Sequence, residues 1–375
     1  MILCFHCSQE TKGRLDELVL VGGYSDYAEV LSVAVSNLAM LQKEIGTKGA
    51  IVIGDTNSPA DDEVTEQATR PAVPNRTRRT RQPATDVILP ELLRRPTGDI
   101  SAGIRLPDDR WVTGDAVPLD RWIFGQYNKL LPAKVSCRGL ATLLAQEPKG
   151  VPLERAAMDI ALSARTLGTV LRDYDRRFCP DRDTALATAF PNEDEDGRSV
   201  TRYATQFVAG INKAGQVSGL LIDLKLINYT NTKDVRLQLT DTGRRLAFLE
   251  SPVLDGKLDR AVARFSTEEL QLLLHHIQSH VPVEDFAFRT IMEAIGKGAC
   301  TPEQLDAAMR AYVSPERRDV LKSAFLSSQR SGAISRMSDL GLVARVRDGV
   351  KVTYALTKQA EHYMETGIAQ GALAQ

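Results

Sequence analysis

His276 and His280, in the stretch "HHIQSH", stand four residues apart, a spacing that on a helix turns both imidazoles to one side as in a zinc pair. Hydrolytic zinc chemistry also needs a carboxylate base between them, and the intervening residues are Ile277, Gln278 and Ser279. Glu284 and Cys300 could complete a ligand set only through the fold, so ordinary helical histidines are the better reading. Cys4 and Cys7 make a CxxC. They lie in "ILCFHC", whose alternation reads as a strand, and a strand sends the two thiols to opposite faces. The sequence holds no Walker loop, Rossmann glycine fingerprint or nucleophile elbow. The expectation is a protein that is not an enzyme and takes no metal or cofactor.

Side chains suited to a nucleic-acid groove gather near the C-terminus. "LSSQRSGAISRMSDLGL" reads as a helix with Ile334, Met337 and Leu340 inward and Gln329, Arg330, Ser335 and Arg336 outward. Arginine pairs with guanine bidentately and glutamine with adenine. A hairpin follows, with Arg347-Asp348-Gly349 as a three-residue loop that sets Val346 opposite Val350 and Ala344 opposite Val352. That register puts Arg345 and Lys351 together on the outer face and Arg347 at the tip. From Ser328 to Lys351, Arg330, Arg336, Arg345, Arg347 and Lys351 face only two acids, Asp339 and Asp348. The whole chain has a net charge of −1, so any attraction to nucleic acid must come from such a local patch.

The elements that would hold these residues occur twice. "SGLLIDLKLINYTNTKDVRLQLTDTGRRLAFL" from Ser218 and "SGAISRMSDLGLVARVRDGVKVTYALTKQAEHYM" from Ser331 each run helix, strand, turn, strand, then "LT" capping a last helix. This order resembles the end of a winged helix: recognition helix, two-stranded wing, closing helix. In the first copy Gln216, Lys225, Lys233 and Arg236 are the DNA candidates. "GLLIDLKLI" is very apolar there, which leaves a packing or dimer surface open as the alternative. Winged helices that bind protein are the alternative for the second copy.

The first 46 residues read as strand, helix, helix. Ser8 caps a helix carrying Leu15, Leu18 and Val19; Gly22-Gly23 ends it; Asp26 and Glu29 form a capping box for the next. Tyr27, Leu31, Ala34, Leu38 and Leu41 make one apolar stripe on that helix. Alone, the unit would expose both the stripe and the strand edge, and pairing two chains removes both faults. "GGYSDYAEVLSVAV" and the strand before it resemble the ribbon-helix-helix family of prokaryotic DNA-binding proteins. The resemblance implies an intertwined dimer, with Leu3, Phe5, Leu31 and Leu38 in its interface. It also implies a ribbon in the major groove and second-helix N-termini, at Ser25, against phosphates. This ribbon departs from the family: it presents Ile2, Cys4 and His6, and only His6 can bond a base edge well. Dimerisation and base reading therefore remain separate questions.

Apolar content of 43% and charged content of 25% are those of a soluble globular chain. No run of eighteen apolar residues marks a membrane span, and "MILCFHCSQE" lacks the basic start of a signal peptide. Five irregularly spaced cysteines suit a reducing cytosol. Residues 47–97 read as a flexible linker, acidic then basic, whose Arg70, Arg76, Arg78, Arg79 and Arg81 either brush phosphates or serve only as a solvated tether. Beyond it, 98–255 and 256–375 read as two winged-helix-like domains, with Trp111 and Trp122 as core anchors in the first. The fold class expected is mainly α with small β elements. The function expected is that of a cytoplasmic dimer, or higher homo-oligomer, that binds double-stranded DNA and regulates transcription. A plasmid partition or replication-initiation protein, or a protein-interaction scaffold, are the alternatives.

Overall fold

The structure, a computed structural model, describes residues 85–86, 89–97, 111–114, 118–179, 184–192, 197–259, 262–312, 323–348 and 351–371. The ribbon-helix-helix segment and most of the linker lie outside the described residues. So do His6, Ser25, Leu3, Phe5, Leu31, Leu38 and the linker arginines. The chain divides into two units, Met1–Thr80 and Arg81–Gln375, and everything below concerns the second.

"LPAKVSCRGLATLLAQ" is apolar or small on nearly every side, and such a helix belongs inside a core. It forms α1 (Leu131–Gln146), with Val135, Cys137 and Leu140 fully buried. Two cations go in with it. Lys134 Nζ lies 2.8 Å from Glu269 and donates to the carbonyls of Leu246 and Leu249, each at 2.6 Å. Arg138 Nη1 donates to Asp255 Oδ1 at 2.7 Å. Charges this deep are tolerated only when paired and hydrogen-bonded, and removing one partner costs about 3–5 kcal/mol.

After the short strand β3 (Val151–Pro152) comes a long amphipathic helix, α2 (Leu153–Phe178). Ala156, Ile160, Ala164, Leu167, Leu171 and Tyr174 fall on its inward face at helical spacing. α3 (Arg198–Tyr203), the two-residue strands β4 (Gly210–Ile211) and β5 (Val217–Ser218), and the single turn α4 (Leu220–Asp223) follow. Next come β6 (Ile227–Thr230) and β7 (Arg236–Leu239), antiparallel, with Tyr229 opposite Leu237. With β2 (Trp111–Thr113) they form an antiparallel sheet in the order β2-β6-β7-β3. Thr240 then caps α5 (Asp241–Phe248), its hydroxyl accepting from Gly243 N at 3.1 Å.

The second half opens with α6 (Pro252–Asp255) and β8 (Lys257–Leu258), then α7 (Thr267–His280) behind a Ser266–Glu269 capping box. α8 (Pro282–Gly296), α9 (Pro302–Arg310) and α10 (Ser323–Asp339) follow. Strands β9 (Val343–Asp348) and β10 (Lys351–Leu356) pair as a hairpin, and Thr357 accepts from Ala360 N at 3.2 Å at the start of α11 (Lys358–Gly371). The protein is mainly helical with small sheets, as its sequence suggests. Helix, strand, strand and threonine-capped helix occur in both halves. No helix among the described residues is long and apolar enough to cross a membrane.

Two expectations are corrected. Part of the stretch assigned to the linker belongs to the second unit: β1 (Thr85–Asp86) pairs with β8, and Leu93 is fully buried. The boundary expected at 255/256 is not a seam. Lys134–Glu269 crosses it, as do His276 Nε2 with Leu224 O at 2.7 Å and Leu130 N donating to Asp339 at 2.9 Å. Hydrogen bonds through a shared core join the two expected domains into one compact unit.

Candidate nucleic-acid interface

The polar side chains of α10, expected at a groove, mostly point inward. Arg336 is fully buried. Its Nε and Nη2 donate to the Glu284 carboxylate on α8 at 2.5 and 3.0 Å, and its Nη1 donates to Tyr127 O at 2.6 Å. Bidentate geometry plus backbone acceptors is the arrangement that lets a guanidinium leave water. Arg330, 7% exposed, pairs with Asp306 on α9 at 3.1 Å. Gln329 is 3% exposed, and neither its Oε1 nor its Nε2 has a partner among the described residues. None of the three is placed to reach a base edge.

The physical reason is close packing across the chain. Gly332 and Gly125 touch: a Cβ on Gly332 would stand 2.6 Å from the Gly125 Cα, and one on Gly125 would stand 2.1 Å from Ser328 O. Two glycines thus let α10 press directly on the 122–130 segment, whose carbonyls Arg336 then satisfies. At the other end of α10, Asp339 accepts from Leu130 N, Lys129 Nζ (3.2 Å) and Arg264.

The hairpin differs in register from the sequence expectation. Asp348 pairs with Lys351, Arg347 with Val352 and Arg345 with Tyr354, which leaves two residues, not three, between the paired ends. Directly opposed residues share a face, so Arg345 and Arg347 lie together with Tyr354, while Lys351 lies with Asp348 on the other face. The expected pairing of Arg345 with Lys351 on one face is therefore corrected. Arg345, Arg347 and Lys351 are all exposed. Tyr354 is buried, and its N donates to Cys300 O at 2.9 Å, which ties the hairpin to the turn before α9.

Between α10 and the arginine-bearing face of this hairpin lies a cleft of about 290 Å³. Ser331, Ser335 and Ser338 line it from α10, Arg345 and Arg347 from β9, and Lys129 from the 122–130 segment. Among the described residues, no acidic side chain lines it. Of these, sequence reasoning finds Ser335 and the arginines. The serines at i, i+4 and i+7 are a legible signal, whereas Lys129, two hundred residues away, is not.

The first copy offers less. Gln216 sits exposed beside the β4–β5 turn, its N donating to Asn212 Oδ1 at 3.0 Å. Lys225, at φ 53°, donates to Gly114 O at 3.3 Å. Arg236 is held by Asp234 at 3.1 Å and the Gly150 carbonyl at 2.7 Å. Of "GLLIDLKLI", only Leu220–Asp223 is helical, and Leu220, Leu221 and Ile222 are buried. The segment packs.

The histidines form no metal site here. His276 is buried with Nε2 on the Leu224 carbonyl, and burial pulls its pKa below the usual value. His280 stacks on it at 5.1 Å. Glu284 is taken by Arg336, and Cys300 Sγ faces Ile295 O at 3.9 Å. Among the described residues no group of three His, Cys, Asp or Glu side chains is disposed to hold a metal. No protein-family model, no curated protein and no solved structure matches the chain.

Proposed function

We propose that this chain is a non-catalytic, dimeric, cytoplasmic DNA-binding protein that regulates transcription. The β9–β10 hairpin is its principal DNA-contacting element in the described unit. The observation that carries this reading is the hairpin itself: Arg345, Arg347 and Lys351 are exposed on a two-stranded element of a chain whose net charge is only −1. Exposed cations on a short ribbon suit phosphates and the minor groove.

Topology supports a winged-helix architecture in each half. In the first, a short strand after α1 pairs with the second strand of the hairpin, giving the order β3-β7-β6. In the second, the Tyr354–Cys300 bond stands in the same position. The ribbon-helix-helix resemblance of residues 1–46 supplies the dimer, through Leu3, Phe5, Leu31 and Leu38, and brings His6 and Ser25 to DNA. With Gln329, Arg330 and Arg336 internal, the hairpin contributes phosphate affinity more than base readout, and sequence preference falls to the N-terminal ribbon. A regulator differs from a partition or replication-initiation protein only in which sites it protects.

One observation favours a second reading. The helix that would read bases, α10, is used for packing within the chain, as in winged helices that serve protein contacts, so an assembly scaffold is the rival. A titration on specific and scrambled duplexes at fixed salt separates the two. The regulator binds its own flanking DNA, and Arg345→Ala/Arg347→Ala/Lys351→Ala weakens binding to both duplexes alike. Weak binding to both duplexes, unchanged in the variant, supports the scaffold.

A further inference from the structure

We propose that the outward face of the β9–β10 hairpin docks against the same face of a second copy of this chain. The inference goes beyond the DNA reading, whose two arginines lie on the other face. It rests on the proposed N-terminal dimer only for the tether that brings two hairpins together.

The ladder assigns the faces. Asp348 opposes Lys351, Val346 opposes Thr353 and Ala344 opposes Ala355, and opposed residues share a face, so these six form one surface. All six are exposed, Val346 to 52%. A sheet with one face in water ordinarily turns its apolar residues inward and its polar ones outward. Here Arg345 and Arg347 share the face of buried Tyr354, whereas Ala344, Val346 and Ala355 are turned to solvent with Thr353. The pattern suits a face that a further layer covers.

Charge says which layer. A two-fold axis parallel to the strands lays β9 of one copy over β10 of the other at the same level. Asp348 then meets Lys351 of the second copy, Lys351 meets its Asp348, and Val346 and Thr353 fill the middle. The four charges alternate in sign around a square, so each carboxylate has an ammonium on two sides. Turned end for end, the same faces would set Asp348 over Ala344 and lose both pairs. Small side chains at Ala344, Thr353 and Ala355 let the two sheets approach closely.

Size sets the condition. Six side chains fall well short of the roughly 20–30 residues a side of a stand-alone interface. The contact therefore needs chains already held together, where a tether raises the effective concentration to about millimolar.

The test is carbodiimide cross-linking of full-length chains, in which Asp348→Lys and Lys351→Asp are expressed together. One variant carries only amines at the two positions and the other only carboxylates, so an amide there must join two chains. Thermal melts confirm that both fold. Peptide mapping should find that amide between the two variants. Val346→Glu, added to both, puts a like charge in the middle of each face without touching the interior of either chain. It should lower the yield about tenfold or more, since unpaired charge is costly to bury. An undiminished yield would mean chance encounter of tethered hairpins and overturns the proposal. So does the absence of any amide at these positions. Interchain links within residues 1–46 then show whether the N-terminal dimer stands by itself or fails as well.

Discussion

Arg336 lies in the interior because the Glu284 carboxylate and the carbonyl of Tyr127 meet its guanidinium there. Arg336→Ala would strand a buried carboxylate, so it should lower stability by about 3–5 kcal/mol in denaturant unfolding. Arg336→Met with Glu284→Gln should recover much of that loss, because the cost lies in the unpaired charge. A single variant as stable as wild type would contradict the pairing. Asp223 gives a second handle. Burial pushes its carboxyl up to about 7, with Glu284 adding and Arg336 opposing. The folded protein therefore holds a proton that the unfolded chain releases near pH 4, and this contribution to stability is lost as pH rises from about 4 through 7. Compared at pH 5 and pH 8, Asp223→Asn should lose less stability than wild type; equal losses would contradict the assignment. Sequence could not show these roles. An arginine among serines on a helix reads the same whether water or Glu284 waits beside it, and Glu284 is fifty-two residues away.

At the scale of elements, α10 and the β9–β10 hairpin divide the work: the helix holds the unit together and the hairpin faces solvent with three cations. Gly332 is what allows the helix to play its part, since any side chain there meets the Gly125 backbone. Gly332→Ala should destabilise by about 1–3 kcal/mol, the usual cost of overpacking, although alanine is the better helix former. A variant that melts at or above the wild-type temperature would refute the close approach. Local signals make the elements themselves legible. Both threonine caps lie where the "LT" pairs of the sequence indicate. The hairpin register differs by three residues from the sequence expectation, Val346 facing Thr353 and not Val350, because turn chemistry alone assigns Asp348 to the loop, whereas the ladder pairs it with Lys351.

For the whole molecule, the division expected at 255/256 fails for a reason no local signal carries. Lys134, Arg336 and Asp339 look like surface charges in sequence, and each bonds across that boundary or reaches back to residues before it. The near-neutral chain sets exposed cations along the hairpin, and on the reading proposed above these cations meet DNA phosphates. The slope of log K against log salt for a duplex reports how many phosphates the protein neutralises, at about 0.9 for each. The decisive comparison is that slope for wild type and for Arg345→Ala/Arg347→Ala/Lys351→Ala. The triple variant should show a slope shallower by about 0.9 for each phosphate it no longer neutralises. Identical slopes for the two proteins would contradict a role for the hairpin in binding DNA.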